Sequence, residues 1–145
     1  MATLWGRDCC KEVLRLLHEV LHILNHVFAV TDFQLFQRIG DEIMAINGVP
    51  VGGTGTFQIG LVPPNGVPLQ SGPTVSADDT NVTLGPVGSD LSFTAAVAAS
   101  DTGTSFNITV MGVNGVGTSI SHVFNIPILA PPPVQVTDFS LNQTS

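Results

Sequence analysis

The sequence predicts a mostly β protein, with a long N-terminal α-helix of coiled-coil character followed by a two-sheet antiparallel β-sandwich. Three observations carry this expectation. Apolar residues between Val13 and Val30 recur three and four apart, the period of a helix. From Thr56 onward, short runs rich in β-branched and aromatic residues are separated by Gly, Pro, Asn and Asp, the pattern of strands and turns. The two halves also differ in charge: Arg7, Lys11, Arg15 and Arg38 all precede residue 51, and nothing after it is Lys or Arg. The division expected is a helical oligomerisation or attachment segment at 1–50, a β-sandwich at 51–130, and an extended, Pro-led tail at 131–145.

Composition excludes several classes. The chain has 145 residues, of which 10% are charged, against about 25% in an ordinary soluble domain. Its formal net charge is −7, so the basic footprint that nucleic acid requires is missing and no nucleic-acid partner is expected. With 43% hydrophobic residues, the chain also lacks the apolar poverty of disordered proteins.

In the helical half, Arg15, His18, Glu19, His22, Asn25 and His26 fall on one polar stripe. Leu14, Leu17, Leu21, Leu24 and Phe28 keep the a/d rhythm of a coiled coil. Val13, Leu16, Val20, Ile23, Val27 and Val30 form a second apolar row beside it. An arc this wide exceeds what a two-stranded coil buries, and it suits a trimer or larger bundle. A second register follows at Phe36, Ile39, Ile43 and Ile46, three, four and three apart. The step of eight from Phe28 to Phe36 is read as a stutter in one long helix, or as a break at Thr31-Asp32, a good N-cap pair. One continuous helix to Asn47 would span about 60 Å at ~1.5 Å per residue. Asn47-Gly48 and Pro50 then end it. The polar stripe interrupts every candidate span, so no membrane crossing is expected. The start, Met1 to Cys10, has neither the basic lead nor the apolar core of a signal peptide and reads as a cytosolic N-terminus.

The strands expected in the second half are Thr56–Val62, Thr74–Ala77, Asn81–Leu84, Leu91–Ala98, Ser105–Val113 and Ser119–Leu129. Leu91, Phe93, Ala95 and Val97 face one way, as do Phe106, Ile108, Val110 and Gly112. Val123, Phe124, Ile126 and Ile128 carry the last run, with an irregularity expected near His122-Val123. Asn114-Gly115 supplies a hairpin turn, and Pro63-Pro64-Asn65-Gly66 and Gly85-Pro86-Val87-Gly88 supply others.

The run from Phe57-Gln58-Ile59-Gly60-Leu61-Val62 through Pro73–Leu84, Leu91–Ala98 and Phe106-Asn107-Ile108-Thr109-Val110 to the final strand resembles the bacterial immunoglobulin-like (group 2) domains. These occur in tailed-phage structural proteins and bacterial surface proteins. The resemblance covers residues 55–129. It implies an Ig-like antiparallel β-sandwich that serves as a spacer or binding module, without catalysis. Val134–Leu141 resembles the opening strand of another such domain.

Few residues suggest chemistry. His18, His22 and His26 sit at i, i+4 and i+8, where two imidazoles can share a zinc ion, but no carboxylate or thiolate follows at matching spacing. The stripe is therefore read as solvated or interfacial, and no metal or other cofactor is expected. Cys9-Cys10 are adjacent; they are either free thiols or partners in inter-chain disulfides. Asp78, Asp79, Asp90 and Asp101 match no calcium loop and are read as turn and cap residues. Gly52–Thr56 lacks the lysine of a phosphate loop. His122 lies in a strand without a recognisable triad.

The sequence thus points away from an enzyme and towards a structural homo-oligomer, with a trimer favoured. Leu14, Leu17, Leu21, Leu24, Phe28, Phe36, Ile39, Ile43 and Ile46 are the expected interface. The resemblance implies a fibre or decoration protein at the neck, tail or capsid of a tailed-phage virion, made in the host cytoplasm and touching other virion proteins. The alternative is a cell-surface adhesin or binding module. The tail is expected to gain order only by pairing with a neighbour.

Overall fold

A computed structural model describes residues 4–131 and 133. One helix, α1 (Leu4–Val27), precedes nine strands. These are β1 (Asp32–Ile39), β2 (Glu42–Met44), β3 (Val49–Pro50), β4 (Thr54–Val62), β5 (Ser71–Ala77), β6 (Val82–Leu84), β7 (Ser92–Val97), β8 (Ser105–Val113) and β9 (Ser119–Leu129). The fold is mostly β, with one sheet in the order β2-β1-β4-β7-β6 and a second in the order β3-β9-β8-β5. All pairings between strands are antiparallel except that of β3 with β9.

The helix ends where its backbone is captured by the β unit. Phe28 N–H makes a final helical bond to Leu24 O at 2.9 Å, while Phe28 O accepts from Val67 N–H at 2.7 Å. Ala29 then bridges Val67, and Asn114 Nδ2 donates to Val30 O at 3.0 Å. Ala29 and Val30 are buried.

The expected helical segment at 1–50, with a helix reaching Asn47, is corrected here. Residues 32–50 form β1, β2 and β3, so the β unit begins at about residue 29. Phe33, Leu35 and Gln37 of β1 are buried in strict alternation, the strand period of two. Thr31-Asp32 is not a helix cap. Asp32 Oδ1 instead accepts from the next amide, Phe33 N–H, at 2.8 Å as the strand begins. Gly40, at φ 62°, turns the chain into β2, which pairs Arg38 with Ile43 and Ile39 with Glu42. The three-and-four spacing of Phe36, Ile39, Ile43 and Ile46 spans this turn, so it never describes one helical face.

Asn47-Gly48 is likewise not a helix stop but a tightly held loop. Gln37, buried in β1, accepts from Asn47 N–H at 2.7 Å and Gly48 N–H at 3.0 Å, and its Nε2 donates to Gly48 O at 2.8 Å. Gly48 has φ 124°, and a β-carbon there would lie 2.6 Å from Pro127 O. Only glycine meets both conditions.

The two sheets enclose one apolar cluster. Phe33 and Leu35 (β1), Phe57 and Ile59 (β4), and Phe93, Ala95 and Val97 (β7) face Phe106, Ile108 and Val110 (β8) and Ile126 (β9). The rings of Phe57 and Phe93 stack at 5.7 Å between centroids. Burying each of the large side chains stabilises by about 1.5–3 kcal/mol.

The later strands fall close to where alternation placed them, with two differences. The expected irregularity near His122-Val123 is absent: β8 and β9 pair in one unbroken register from Ser105↔Pro127 to Val113↔Ser119. The register shift lies instead in β5, between Ser71 and Thr74. In the β8–β9 turn the positive-φ residue is Gly117, at 85°, not the Asn-Gly pair. Asn114 braces that turn by accepting from Val116 N–H at 3.2 Å and Thr118 N–H at 2.9 Å. The predicted pairing of Val134–Leu141 lies outside the described residues.

Candidate assembly surface

The 24 residues of α1 owe their shape to local chemistry. Long straight-chain residues dominate, and Arg15 sits between Glu12 and Glu19, pairing with Glu19 at 2.9 Å. Such pairs add a few tenths of a kcal/mol to an exposed helix. From Asp8 to Phe28 every side chain is exposed except that of Asn25, which is half-buried. Leu14 is 66% exposed, Leu17 60% and Val27 64%. The β unit therefore covers neither apolar row along the helix, and of the residues read in those rows only Val30, beyond the helix end, is buried. An uncovered face of ten large aliphatic and aromatic residues is a candidate interaction surface.

Four of the nine residues expected at the interface, Leu14, Leu17, Leu21 and Leu24, lie on this helix, and a fifth, Phe28, directly follows its last residue. The other four do not continue the row. Phe36 is half-buried on the outer face of β1, and Ile43, opposite Arg38, shares that face. Ile39, opposite Glu42, is on the other face, and Ile46 packs against the core. Phe36, Ile39 and Ile43 thus belong to β1 and β2, and Ile46 to the loop that follows them.

Cys9 and Cys10 are exposed free thiols. With Val13 and Leu14 they line a shallow, almost wholly apolar depression of about 360 Å³. The thiols thus lie beside the apolar arc, within reach of whatever covers it. His22 and His26 approach edge to face, 4.8 Å between ring centroids. Among the described residues no group of three potential ligands gathers at a metal-binding distance, so this pair has no third protein ligand there. No described helix is long and apolar enough to cross a membrane.

Within the β unit the acidic residues serve the backbone. Asp78 accepts from Asn107 N–H and Nδ2, both at 2.8 Å, and these bonds hold its carboxyl below the usual carboxylate range. Asp90 accepts from the Ser92 hydroxyl and amide, which lowers it in the same way, with Arg38 adding a smaller pull. Asp79 bonds Asn81 N–H at 2.8 Å, and Asp101, buried, bonds Gly103 N–H at 2.7 Å.

His122 has a partner that sequence reasoning missed, because that partner lies in the segment read as helix. Its Nδ1 is 2.8 Å from Asp32 Oδ1, and its ring stacks on Phe124 at 4.4 Å. A His–Asp pair orients a base, but catalysis also needs a nucleophile on the other ring nitrogen. Among the described residues, no hydroxyl or thiol is hydrogen-bonded to His122. A groove on the β unit, about 400 Å³ and lined by Met111, Val113, Ile120 and small polar residues, carries no titratable group. Among the described residues, ten of the fifteen exposed large hydrophobics lie between Val13 and Phe28.

Comparison with protein-family models, curated proteins and solved structures returned no match.

Proposed function

We propose that this chain is a non-enzymatic structural protein that assembles through α1, most simply as a trimer, and projects an Ig-like β-sandwich. The observation that carries the reading is the exposure of both apolar rows of α1, from Val13 to Phe28. Left in water, that surface favours self-association, and three or more copies bury an arc too wide for two. The strand order supports the Ig-like part. Ig sandwiches place strands A, B, E and D in one sheet and C, F and G in the other. Assigning β1, β4, β7 and β6 to the first set and β5, β8 and β9 to the second reproduces that order, with β3 flanking the last strand.

The resemblance to group 2 Ig-like domains extends the proposal to a fibre or decoration of a tailed-phage virion, at its neck, tail or capsid, in contact with other virion proteins. The alternative role is a bacterial surface adhesin or binding module, built on the same sandwich. Light scattering tests the assembly: the full chain gives a multiple of 15.1 kDa, and a monomer at micromolar concentration overturns it. Immunogold labelling in negative stain separates the two roles. Label on particles supports the virion, and label confined to cell envelopes supports the adhesin.

A further inference from the structure

We propose that residues Val134–Leu141 of one copy add as an extra strand to the free edge of β9 in a second copy. The proposal rests first on the backbone of β9. Ile128 N–H donates to Thr104 O at 2.8 Å, towards β8, whereas Leu129 O accepts from Val51 N–H at 3.0 Å, towards β3. A strand residue presents its N–H and C=O to the same side, and the side alternates. The even-numbered residues of β9 therefore serve β8, and the odd-numbered ones face the opposite edge. β3 covers only Ile128 and Leu129 on that edge. Ser119, Ser121, Val123 and Asn125 each offer it a donor and an acceptor, and among the described residues no strand pairs with them there.

The outermost strands elsewhere carry defences, and the uncovered part of β1 beyond β2 is only five residues long, beginning with the charged Asp32. β2 and β6 are three residues long, and β5 carries Pro73 and a register shift. Short edges, prolines and bulges are the usual defences against strand addition. The free stretch of β9 has eight residues before Pro127 and neither lysine nor carboxylate among them. Ile120 and Phe124 on its inward face pack on the core but stay only partly covered. An added strand would cover them.

The occupant follows from where the chain goes next. Leu129 ends β9, and twelve residues continue beyond Pro133. Among them Val134–Leu141 matches the eight-residue edge in length, about 26 Å at ~3.3 Å per residue. Its apolar residues Val134, Val136, Phe139 and Leu141 change parity across Asp138, and a bulge there would bring them to one face of an added strand. Return along its own β9 is opposed twice. Three consecutive prolines favour an extended polyproline path, and β3 already occupies that end of the edge. One donor and one acceptor per copy allow a cyclic oligomer to satisfy every edge; that closure rests on the assembly proposed above.

Amide hydrogen exchange on the assembled full chain tests this. Ser121, Val123 and Asn125 should be protected, and Val136→Pro, which removes one tail amide, should speed their exchange on the order of tenfold or more. Ile108 and Val110 in central β8 should not change. Equal exchange in the two proteins overturns the proposal. Mixing Val123→Cys chains with Gln135→Cys chains, both with Cys9→Ser and Cys10→Ser, should give a disulfide between chains. In a chain carrying both new cysteines, a bond formed only within one copy overturns docking in trans. Helix-driven assembly is read separately: loss of edge protection in Val136→Pro while Leu17→Glu/Leu21→Glu leaves the oligomer intact overturns only the helix reading.

Discussion

His122 and Asp32 join the two sheets across their open side: Nδ1 of the imidazole lies 2.8 Å from Oδ1 of the carboxylate, linking β9 to β1. Asp32 also accepts from Phe33 N–H, and these two bonds hold its carboxyl below the ordinary 3.8. Asp78 and Asp90 are lowered by their own hydrogen bonds. A carboxyl with a lowered folded-state pKa binds protons less readily when folded than when unfolded. Its stabilisation is complete above the unfolded value and is lost as pH falls through the folded one. Thermal melts should therefore show stability falling as pH drops below about 4. Asp32→Asn should flatten that slope, and an unchanged slope would remove the linkage assigned to this pair.

A fragment beginning at Gly55 should not fold. It lacks β1, β2 and β3, and with them the buried Phe33, Leu35 and Val49. A fragment beginning at Phe28 keeps the whole cluster and should melt cooperatively. Circular dichroism of the two fragments decides, and a folded Gly55 fragment would contradict the boundary near residue 29.

Gln37→Leu should cost about 2–4 kcal/mol, because it strands two amides and one carbonyl of the Asn47-Gly48 loop away from water. Gln37→Glu keeps both acceptor bonds but cannot donate to Gly48 O when ionised, so it should fall between wild type and Gln37→Leu. Urea denaturation of the three proteins gives the order.

Leu17→Glu/Leu21→Glu should lower the oligomer number at micromolar concentration while leaving the melting temperature of the β unit within a degree or two. Both side chains are exposed, and such surface changes alter stability by less than about 0.5 kcal/mol. Size-exclusion chromatography with light scattering, beside a thermal melt, reads both quantities.

Oxidation without reductant should link chains through Cys9 and Cys10, which are exposed beside the apolar arc. A non-reducing gel should show the linked species in the wild type and not in Cys9→Ser/Cys10→Ser. Migration of the oxidised wild type as a monomer would separate these thiols from the assembly contact.

The residues themselves determined α1 and most later strands, because their signals are local. The three-and-four spacing of Leu14, Leu17, Leu21, Leu24 and Phe28 runs over two heptads with no competing alternation, and a helix satisfies it. The alternation of Phe106, Ile108 and Val110 is a strand as soon as one face is buried. What only the tertiary structure decided is the fate of residues 28–50. Phe36, Ile39, Ile43 and Ile46 fit a helical period, while Phe33, Leu35 and Gln37 fit a strand, and a window of eight residues cannot separate periods of 3.6 and 2. The choice falls to partners far along the chain: β4, which pairs β1 from Asp32 to Arg38, and the core between the sheets. Asp32 and His122, 90 residues apart, could not be matched before those pairings existed. A hydrogen bond between distant side chains is fixed by the register of the strands that carry them, and that register is set by burying Phe33, Phe57, Phe93 and Phe106 together in one core.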